Sequence, residues 1–572
     1  MPTKEIAHGI VLPPGGGVSD RVLFIPQPAE CLEVDAWVKA WVWKPRTPSN
    51  AELIELHFPV PPNPTDPTLS PEDGSEDPFC SGHTVLPDGS VLIAGGLDRP
   101  AKCLDTACNP LHSAVGHWAI RRLDTSTDPP TWLNTAPMLI MNRERWYPTA
   151  ITLHNGDAFI AGHGSFAEPD GPGGCAPTYG PEAIHETWDR LTWNPAGLVN
   201  PALTISRQYD GDCVSDDYFS VSDYPRLHLL TTGNIVAGNI IFGETPHTRF
   251  LNVLAPKCTE GRWERSNTAI PAVDREGGNT VHLIYPDPAQ APAFVPVDVI
   301  YAIGGTDGDD DTDCSPGPGS AIYASVEKLD QPSLTSQWEG SLPGASPPDL
   351  HTARFNHNSV LLLDGSILVN GGSDGISCNE PSTTVALPSE RYRPPEIFGI
   401  TEGGATDIWK EIPYLDPSYR PYHSVAGLLP DGRVFSAGGR FANSYHSVTV
   451  YSPSYFFNAR PVITSSPGTV AHNAVFDVQV TLSGTTSIVK HVGLVRSSSS
   501  THAWDMNQRY VMLEVVLTSG TAPNLTLTLR APLNGFVAPP GFYLLSVVQQ
   551  TTMSGEGKWV PSPGKWIRVD LP

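Results

Sequence analysis

Charge is what this chain has least of. Asp, Glu, Lys and Arg make up 17% of its 572 residues, against about a quarter in an average globular domain. Basic residues are the scarcer kind: 35 Lys and Arg stand against 60 Asp and Glu, a formal net charge of −25. Without Lys/Arg clusters the chain lacks the footprint that grips a nucleic-acid backbone or an anionic membrane. No apolar run approaches the ~18 residues of a membrane-spanning helix. No Gly-x-Gly-x-x-Gly turn joins a strand to a helix, which excludes the common dinucleotide-binding unit. Residues 1–6 carry no basic-then-apolar signal segment, so export through such a segment is either not used or has left no trace in this chain.

Turn residues are abundant instead. Pro (59) and Gly (52) together are 111 of 572 residues, and they are spread along the chain. That reads as many tight turns, not a collagenous or disordered tract. A hydrophobic content of 40%, with 14 Trp, 17 Tyr and 18 Phe, is ample for a large core. Nine cysteines, an odd number, are found at 31, 80, 103, 108, 175, 213, 258, 314 and 378. Most lie in Gly/Pro/Asp-rich loops, the habit of disulfides in a secreted β-protein. An extracellular or periplasmic location is therefore expected, with eight cysteines in four bridges and one left over.

One phrase recurs: an apolar run, Asp-Gly or a relative, a second apolar run, then a glycine stop. The turns are Asp88-Gly89, Asn155-Gly156, Thr232-Gly233, Asp364-Gly365 and Asp431-Gly432, with a looser copy before Gly304 and a degenerate one from His8. The first glycines of the stops fall at 95, 162, 238, 304, 371 and 438, intervals of 67, 76, 66, 67 and 67. Asp-Gly between apolar runs is a strong hairpin signal, because the turn needs positive φ. Seven four-stranded blades around an axis account for the spacing better than a linear solenoid, which would need polar capping repeats. The fold class expected is all-β: a seven-bladed kelch-like β-propeller over residues 1–460, then an immunoglobulin-like β-sandwich over 461–572. The sandwich is read from alternating segments beginning at Phe476, Val489, Tyr510 and Gly541. Because the first repeat lies so early, the ring is expected to close through a blade shared between the first strands and residues 448–451.

Eight residues before the turn residues 88, 155, 232, 364 and 431 stand Cys80, Tyr147, Tyr224, Asn356 and His423, the last with Tyr422 beside it. These positions are equivalent, at the entry of one strand of each hairpin. If that strand is innermost, they ring one mouth of the axis. A thiol, phenols and an imidazole are an unusual set for a scaffold position. Imidazole nitrogens with phenolate oxygens suit Cu(II) better than Zn or Mg.

Four segments carry a resemblance: Asp77-Pro-Phe-Cys80-Ser-Gly, Arg145-Trp-Tyr147-Pro-Thr, Tyr422-His423-Ser-Val with Leu428-Leu-Pro-Asp-Gly-Arg-Val, and Ser500-Thr-His502. In this order and spacing the chain resembles the copper radical oxidases, glyoxal oxidase more than galactose oxidase. The resemblance runs from about residue 8 to the end. It implies one copper ion held by Tyr147, Tyr422, His423 and His502, with His502 supplied by a loop of the sandwich. It implies a thioether between Cys80 and Tyr147 as a protein-derived radical cofactor, which would also account for the ninth cysteine. Tyr224 is the rival partner, but it lies two blades from Cys80 and Tyr147 only one. The resemblance makes Tyr422 the base and dioxygen the final acceptor, leaving as hydrogen peroxide.

Substrate contacts are read more coarsely. Arg145-Trp146-Tyr147-Pro148 resembles glyoxal oxidase more than galactose oxidase, and that resemblance implies small aldehydes, oxidised as hydrates to acids, over primary alcohols. The segment Gly162-His-Gly-Ser-Phe166 has no Trp where galactose oxidase has its indole, so either His163 or Phe166 is expected over Tyr147. Arg354 resembles an arginine that contacts sugar hydroxyls. The expected partners are a small-molecule substrate and dioxygen, the expected state a monomer. Two other classes are a non-catalytic kelch-type propeller that binds through acidic residues 307–313, and a hydrolase with a metal-bound water. The second would need carboxylates among the ring positions, and there are none. His357 and His83 are the fallback ligands.

Overall fold

The computed structural model describes residues 6–26, 39–45, 52–58, 76–98, 115–133, 140–162, 164–165, 188–193, 204–206, 224–238, 248–254, 263–266, 268, 273, 275–307, 320–340, 347–373, 393–399, 408–413, 416–439, 447–551 and 558–571. Their strands form seven sheets. Among the described residues helix is limited to the short 3-10 turns Pro288–Gln290 and Ser454–Phe457. None of their helices is long and apolar enough to cross a membrane.

Each repeat folds into an antiparallel meander. In the first, Ile6–Leu12, Arg21–Pro26, Lys39–Lys44 and Glu52–His57 pair in chain order. The second is built on Gly82–Val85, Val91–Ala94, Val115–Asp124 and Thr131–Trp132. The third to sixth repeat the plan, and the seventh has three strands, Ser424–Leu428, Val434–Gly438 and Val448–Tyr451. The hairpins turn where the sequence says. Gly89, Gly156, Gly233, Gly365 and Gly432 all have φ between 85° and 94°, a region that glycine enters without strain. At three of these turns the preceding Asp accepts the amide two residues on: Asp88 from Ser90, Asp364 from Ser366, Asp431 from Arg433.

The first strands of the sheets are buried along nearly their whole length because both faces are covered. Val425, Phe435 and Ala437 of the seventh sheet pack with Ile6, Val11, Val22 and Phe24 of the first. Similar apolar layers lie between the first and second, second and third, third and fourth, and fourth and fifth sheets. One larger cluster joins the fifth, sixth and seventh. The expected shared sheet is not formed. Val448–Tyr451 pairs with Val434–Gly438, while the first sheet already has four strands of its own. What the first sheet adds is Ser499–Thr501, antiparallel to His8, Gly9 and Ile10.

A recurring arginine locks these sheets. Arg145, Arg275, Arg354 and Arg420 donate from Nη1 to the carbonyls of Gly162, Gly304, Gly371 and Gly438, the glycine stops. Each also pairs with a carboxylate: Asp189, Glu327, Glu396 and Asp416 respectively.

Beyond residue 460 the strands cover a second core around Val478, Val492, Leu494, Leu527, Tyr543 and Val547. The long strand Tyr510–Thr521 pairs with Ile488–Arg496 at one end and Asn524–Arg530 at the other, so it serves both layers. Its start, Tyr510 and Val511, also runs parallel to Leu283 and Ile284 of the fifth sheet. Main-chain hydrogen bonding is thus continuous between the two parts.

Candidate metal centre

The five positions counted back from the turns share a backbone state. Cys80, Tyr147, Tyr224, Asn356 and His423 have φ of 64°, 54°, 47°, 53° and 65°. The left-handed region costs a non-glycine residue about 1–2 kcal/mol, and such strain gathers at functional sites. They hold one another: the Tyr147 amide donates to the Cys80 carbonyl at 3.0 Å, and the Tyr224 amide to the Tyr147 carbonyl at 2.7 Å.

His502 reaches this ring from the far part of the chain. The expected loop is a tight hairpin of Ser499–Thr501 and Trp504–Asp505, with His502 and Ala503 at its tip, φ 46° and 65°. Two successive positive φ values mark a turn that normally asks for Asn-Gly. Asp505 organises the base by accepting the amides of Ser499 and Asn507.

The structure brings Cys80, Tyr147, Tyr422, His423 and His502 together. The phenolic oxygens of Tyr147 and Tyr422 are 2.6 Å apart. The His502 ring lies 4.9 Å from Tyr147, 5.4 Å from Tyr422 and 4.4 Å from His423, centroid to centroid. Cys80 Sγ is 3.7 Å from His502 Nε2. Burial, the Cys80 thiol and the Tyr422 phenol push the Tyr147 pKa well above its ordinary value, so the metal-free phenol keeps its proton. Burial, then the nearby histidines, hold His502 well below the usual imidazole range.

Which nitrogen of His502 is bare follows from its neighbour. The Thr501 hydroxyl donates to the Ala7 carbonyl at 2.8 Å and meets His502 Nδ1 at 2.6 Å. Its one proton being spent, it accepts there, and Nδ1 carries the hydrogen. Nε2 keeps its lone pair, on the side of the Cys80 thiol. Two imidazoles and two phenols around one point, one imidazole already in the metal-binding tautomer, fit a copper ion.

His8 and Phe79 belong to the same neighbourhood, and the sequence reading gave them no role. The Cys80 amide donates to His8 Nε2 at 3.1 Å. His8 Nδ1 then donates to His83 Nε2 at 3.1 Å, and His83 Nδ1 to Ser499 Oγ at 2.6 Å. The Ser499 hydroxyl closes the chain on the His83 carbonyl. Both rings are neutral: burial is the main cause, and it brings His83 down to about 3. The signal for His8 was its place at the head of the degenerate first repeat. Phe79 stands edge-on to His8 and His423.

The remaining expected residues are distributed differently. Trp146 stacks on Tyr147, centroids 4.4 Å apart and planes at 23°. His163 and Phe166, expected there, lie outside the described residues, as do residues 308–313 and every cysteine except Cys80. Tyr224 packs 5.0 Å from Tyr147 and gives its hydroxyl to the Ser81 carbonyl. Arg354 is fully buried and has the sheet-locking place described above, with its Nη2 on Glu396 and on the Pro394 carbonyl. That geometry is the reason to assign it to the scaffold and not to substrate. His357 is buried on the first strand of the sixth sheet, near Arg354 and Gly304, and His83 belongs to the chain from Cys80. Among the described residues no group of three or more His, Cys, Asp and Glu could hold a metal; the phenols are what complete this donor set.

Comparison with known proteins fits this chemistry. Residues 460–569 match the galactose oxidase-like early set domain. Over 503 residues the chain is 25% identical to a galactose oxidase of Gibberella zeae, covering 86% of this chain and 61% of that protein. It is 26% identical over 529 residues to the aldehyde oxidase GLOX1 of Arabidopsis thaliana, covering 86% of this chain and 71% of the relative. A stretch of 241 residues is 32% identical to the aldehyde oxidase GLOX of Vitis pseudoreticulata, 39% of this chain and 42% of that one. These likenesses, to galactose oxidases and to aldehyde oxidases, support a relationship with the copper radical oxidases. The chain spans about three-fifths of the length of the galactose oxidases it matches. Its fold is that of a solved fungal alcohol oxidase in complex with copper, at a TM-score of 0.65 and 18% identity over 100% of this chain and 98% of the other.

Proposed function

We propose that this protein is a copper-dependent oxidase of small aldehydes, which it takes as hydrates and converts to carboxylic acids while dioxygen becomes hydrogen peroxide. The observation that carries the reading is the convergence of Tyr147, Tyr422, His423, His502 and Cys80 in one buried cluster. Copper held by Tyr147, Tyr422, His423 and His502 would supply one of the two one-electron acceptors that a two-electron oxidation needs.

The protein groups do the rest. A thioether from Cys80 to the ring of Tyr147 makes that phenol easier to oxidise and provides the second acceptor. Trp146, stacked on Tyr147, shields that ring. Tyr422, half-buried and 2.6 Å from Tyr147, offers its oxygen to the hydroxyl proton of the substrate. The carbon-bound hydrogen goes to the Tyr147 oxygen. The hydrate thus loses two electrons and two protons, and dioxygen carries both away as peroxide.

The same proposal includes the architecture around the site. The seven sheets form a closed seven-bladed kelch-like propeller over residues 1–460, supported by the packing of the seventh sheet on the first. Residues 461–572 form an immunoglobulin-like sandwich that supplies His502. A monomer, in an extracellular or periplasmic compartment, is the expected form. The aldehyde preference is supported by the likeness to plant aldehyde oxidases and by the Arg145-Trp146-Tyr147 segment.

Metal analysis with intact mass tests the centre. One copper per chain and a loss of two hydrogens that survives reductant is the expected result; unmodified Cys80 and Tyr147 peptides from copper-loaded, oxidised protein would overturn the thioether. A peroxidase-coupled assay tests the substrate: peroxide with methylglyoxal, glyoxal or glycolaldehyde should exceed that with galactose. A kcat/KM for galactose above all three would give the alcohol reading precedence.

A further inference from the structure

A small cavity lies against the phenol cluster, with Met506 in the walls of both. It is lined by Thr152, His228, His282, Arg496, Asn507 and Arg509, among others, and no carboxylate is part of its described lining. The space open to the centre of a water is ≈ 20 Å³, room for one or two water-sized groups.

Two charges in this wall differ from the four arginines that lock the sheets. Arg145, Arg275, Arg354 and Arg420 each reach a carboxylate. Arg496 and Arg509, both 4% exposed, do not ion-pair with any described carboxylate. Arg496 gives Nη2 to the Val85 carbonyl at 3.0 Å and lies over the Tyr543 ring. Arg509 donates to the carbonyls of Phe536, Val537 and Leu229. The nearby acids act on them from beyond ion-pair distance: Asp298 is held by Thr231 and His282, and Asp505 accepts the amides of Ser499 and Asn507 on one oxygen. Burial first, and then the charge of Arg496, lower Arg509 to about 10, although Tyr543 and Asp298 pull the other way. Asn507, 5% exposed, adds an amide nitrogen with no hydrogen-bond partner in the protein. Buried charges are normally paired, and buried donors satisfied.

We propose that this cavity binds one monatomic anion, a halide such as chloride, between Arg496, Arg509 and the Asn507 amide. The size decides for a single atom over sulfate or a carboxylate. The place gives it a function. The Arg496 amide donates to the Arg509 carbonyl at 3.0 Å, so these two residues are the stems of the loop whose tip is His502. An anion between them clamps the base of the hairpin that offers His502 to the metal centre. This site goes beyond the oxidase reading and does not depend on it.

The test uses metal-free protein, melted in sodium chloride, sodium bromide or sodium gluconate at matched ionic strength. Halide should raise Tm saturably, by about 2–4 °C, the shift of a modest ligand contribution in a protein of this size. Asn507→Asp keeps the oxygen that accepts from Thr84 and puts a carboxylate into the wall. That variant should lose the halide response while melting in gluconate no lower than wild type. A bromide-soaked crystal of the wild type should show an anomalous peak in the cavity, which keeps the idea falsifiable even if the variant misfolds. Equal Tm in halide and gluconate, a full halide response in Asn507→Asp, or peaks at the surface alone (an adventitious ion only) would each overturn the assignment.

Discussion

The hydroxyl of Thr501 decides which nitrogen of His502 is bare. It gives its proton to the Ala7 carbonyl and takes the Nδ1 hydrogen of the imidazole. The first strand of the chain, through Ala7, thereby sets the tautomer of a proposed ligand some five hundred residues away. Thr501→Val should leave the fold intact and weaken copper binding about 10–100-fold, the usual scale for losing such a partner. Thr501→Ser should restore it. A copper titration followed by absorbance or EPR reads both; equal affinity in Thr501→Val would remove the hydroxyl from this role.

Tyr422→Phe removes the oxygen that stands 2.6 Å from Tyr147. Three proposed ligands remain, so copper should still bind. Turnover should fall about 10²–10⁴-fold, the typical contribution of a general base. Near-normal turnover in the variant would mean that another group takes the substrate proton.

Arg354 separates a scaffold role from a substrate role. Removing its guanidinium leaves Glu396 buried without its main counter-charge, and breaking such a pair costs about 3–5 kcal/mol. Arg354→Met should therefore lower the denaturation midpoint sharply. The kcat/KM of the folded fraction should keep the same ratio between aldehyde and galactose. A selective loss of galactose turnover without loss of stability would return Arg354 to the substrate pocket.

The repeat spacing made much of this molecule legible. Counting back from the Asp-Gly turns reached Cys80, Tyr147, Tyr224, Asn356 and His423 because each turn fixes the register of its hairpin, and all five share the left-handed backbone that the count could not see. The His502 hairpin was read as a loop, since His-Ala supplies neither glycine nor asparagine to announce its turn. Taken alone, Arg354 resembles a substrate contact; beside Arg145, Arg275 and Arg420 it is also a repeat element, spaced 17, 17, 29 and 18 residues from the glycines 371, 162, 304 and 438 for Arg354, Arg145, Arg275 and Arg420. Closure of the first sheet on Ser499–Thr501 depends on a pairing across nearly the whole chain, which no local pattern encodes.

Asp505 makes the hairpin that carries His502 sensitive to pH in a direction that can be worked out. Its carboxyl is buried, and burial raises its pKa from the ordinary 3.8 to about 6, although the amides of Ser499 and Asn507 pull the other way. The folded state therefore holds the proton more tightly than the unfolded chain does. The resulting stability is fully present below about pH 4. It is lost as pH rises to about 6, where the folded state also releases the proton, and is level above. A shift of two units corresponds to about 3 kcal/mol. Asp364 carries a similar shift, to about 6, so the wild-type profile contains both groups and only a difference curve isolates one. Asp505→Asn keeps an oxygen for the two amides and cannot ionise. The midpoint of the metal-free variant, minus that of the wild type, should climb between pH 4 and 6 and then level off. A flat difference across that window would place the Asp505 carboxylate in surroundings that favour its charge, and the burial argument for this loop would fall.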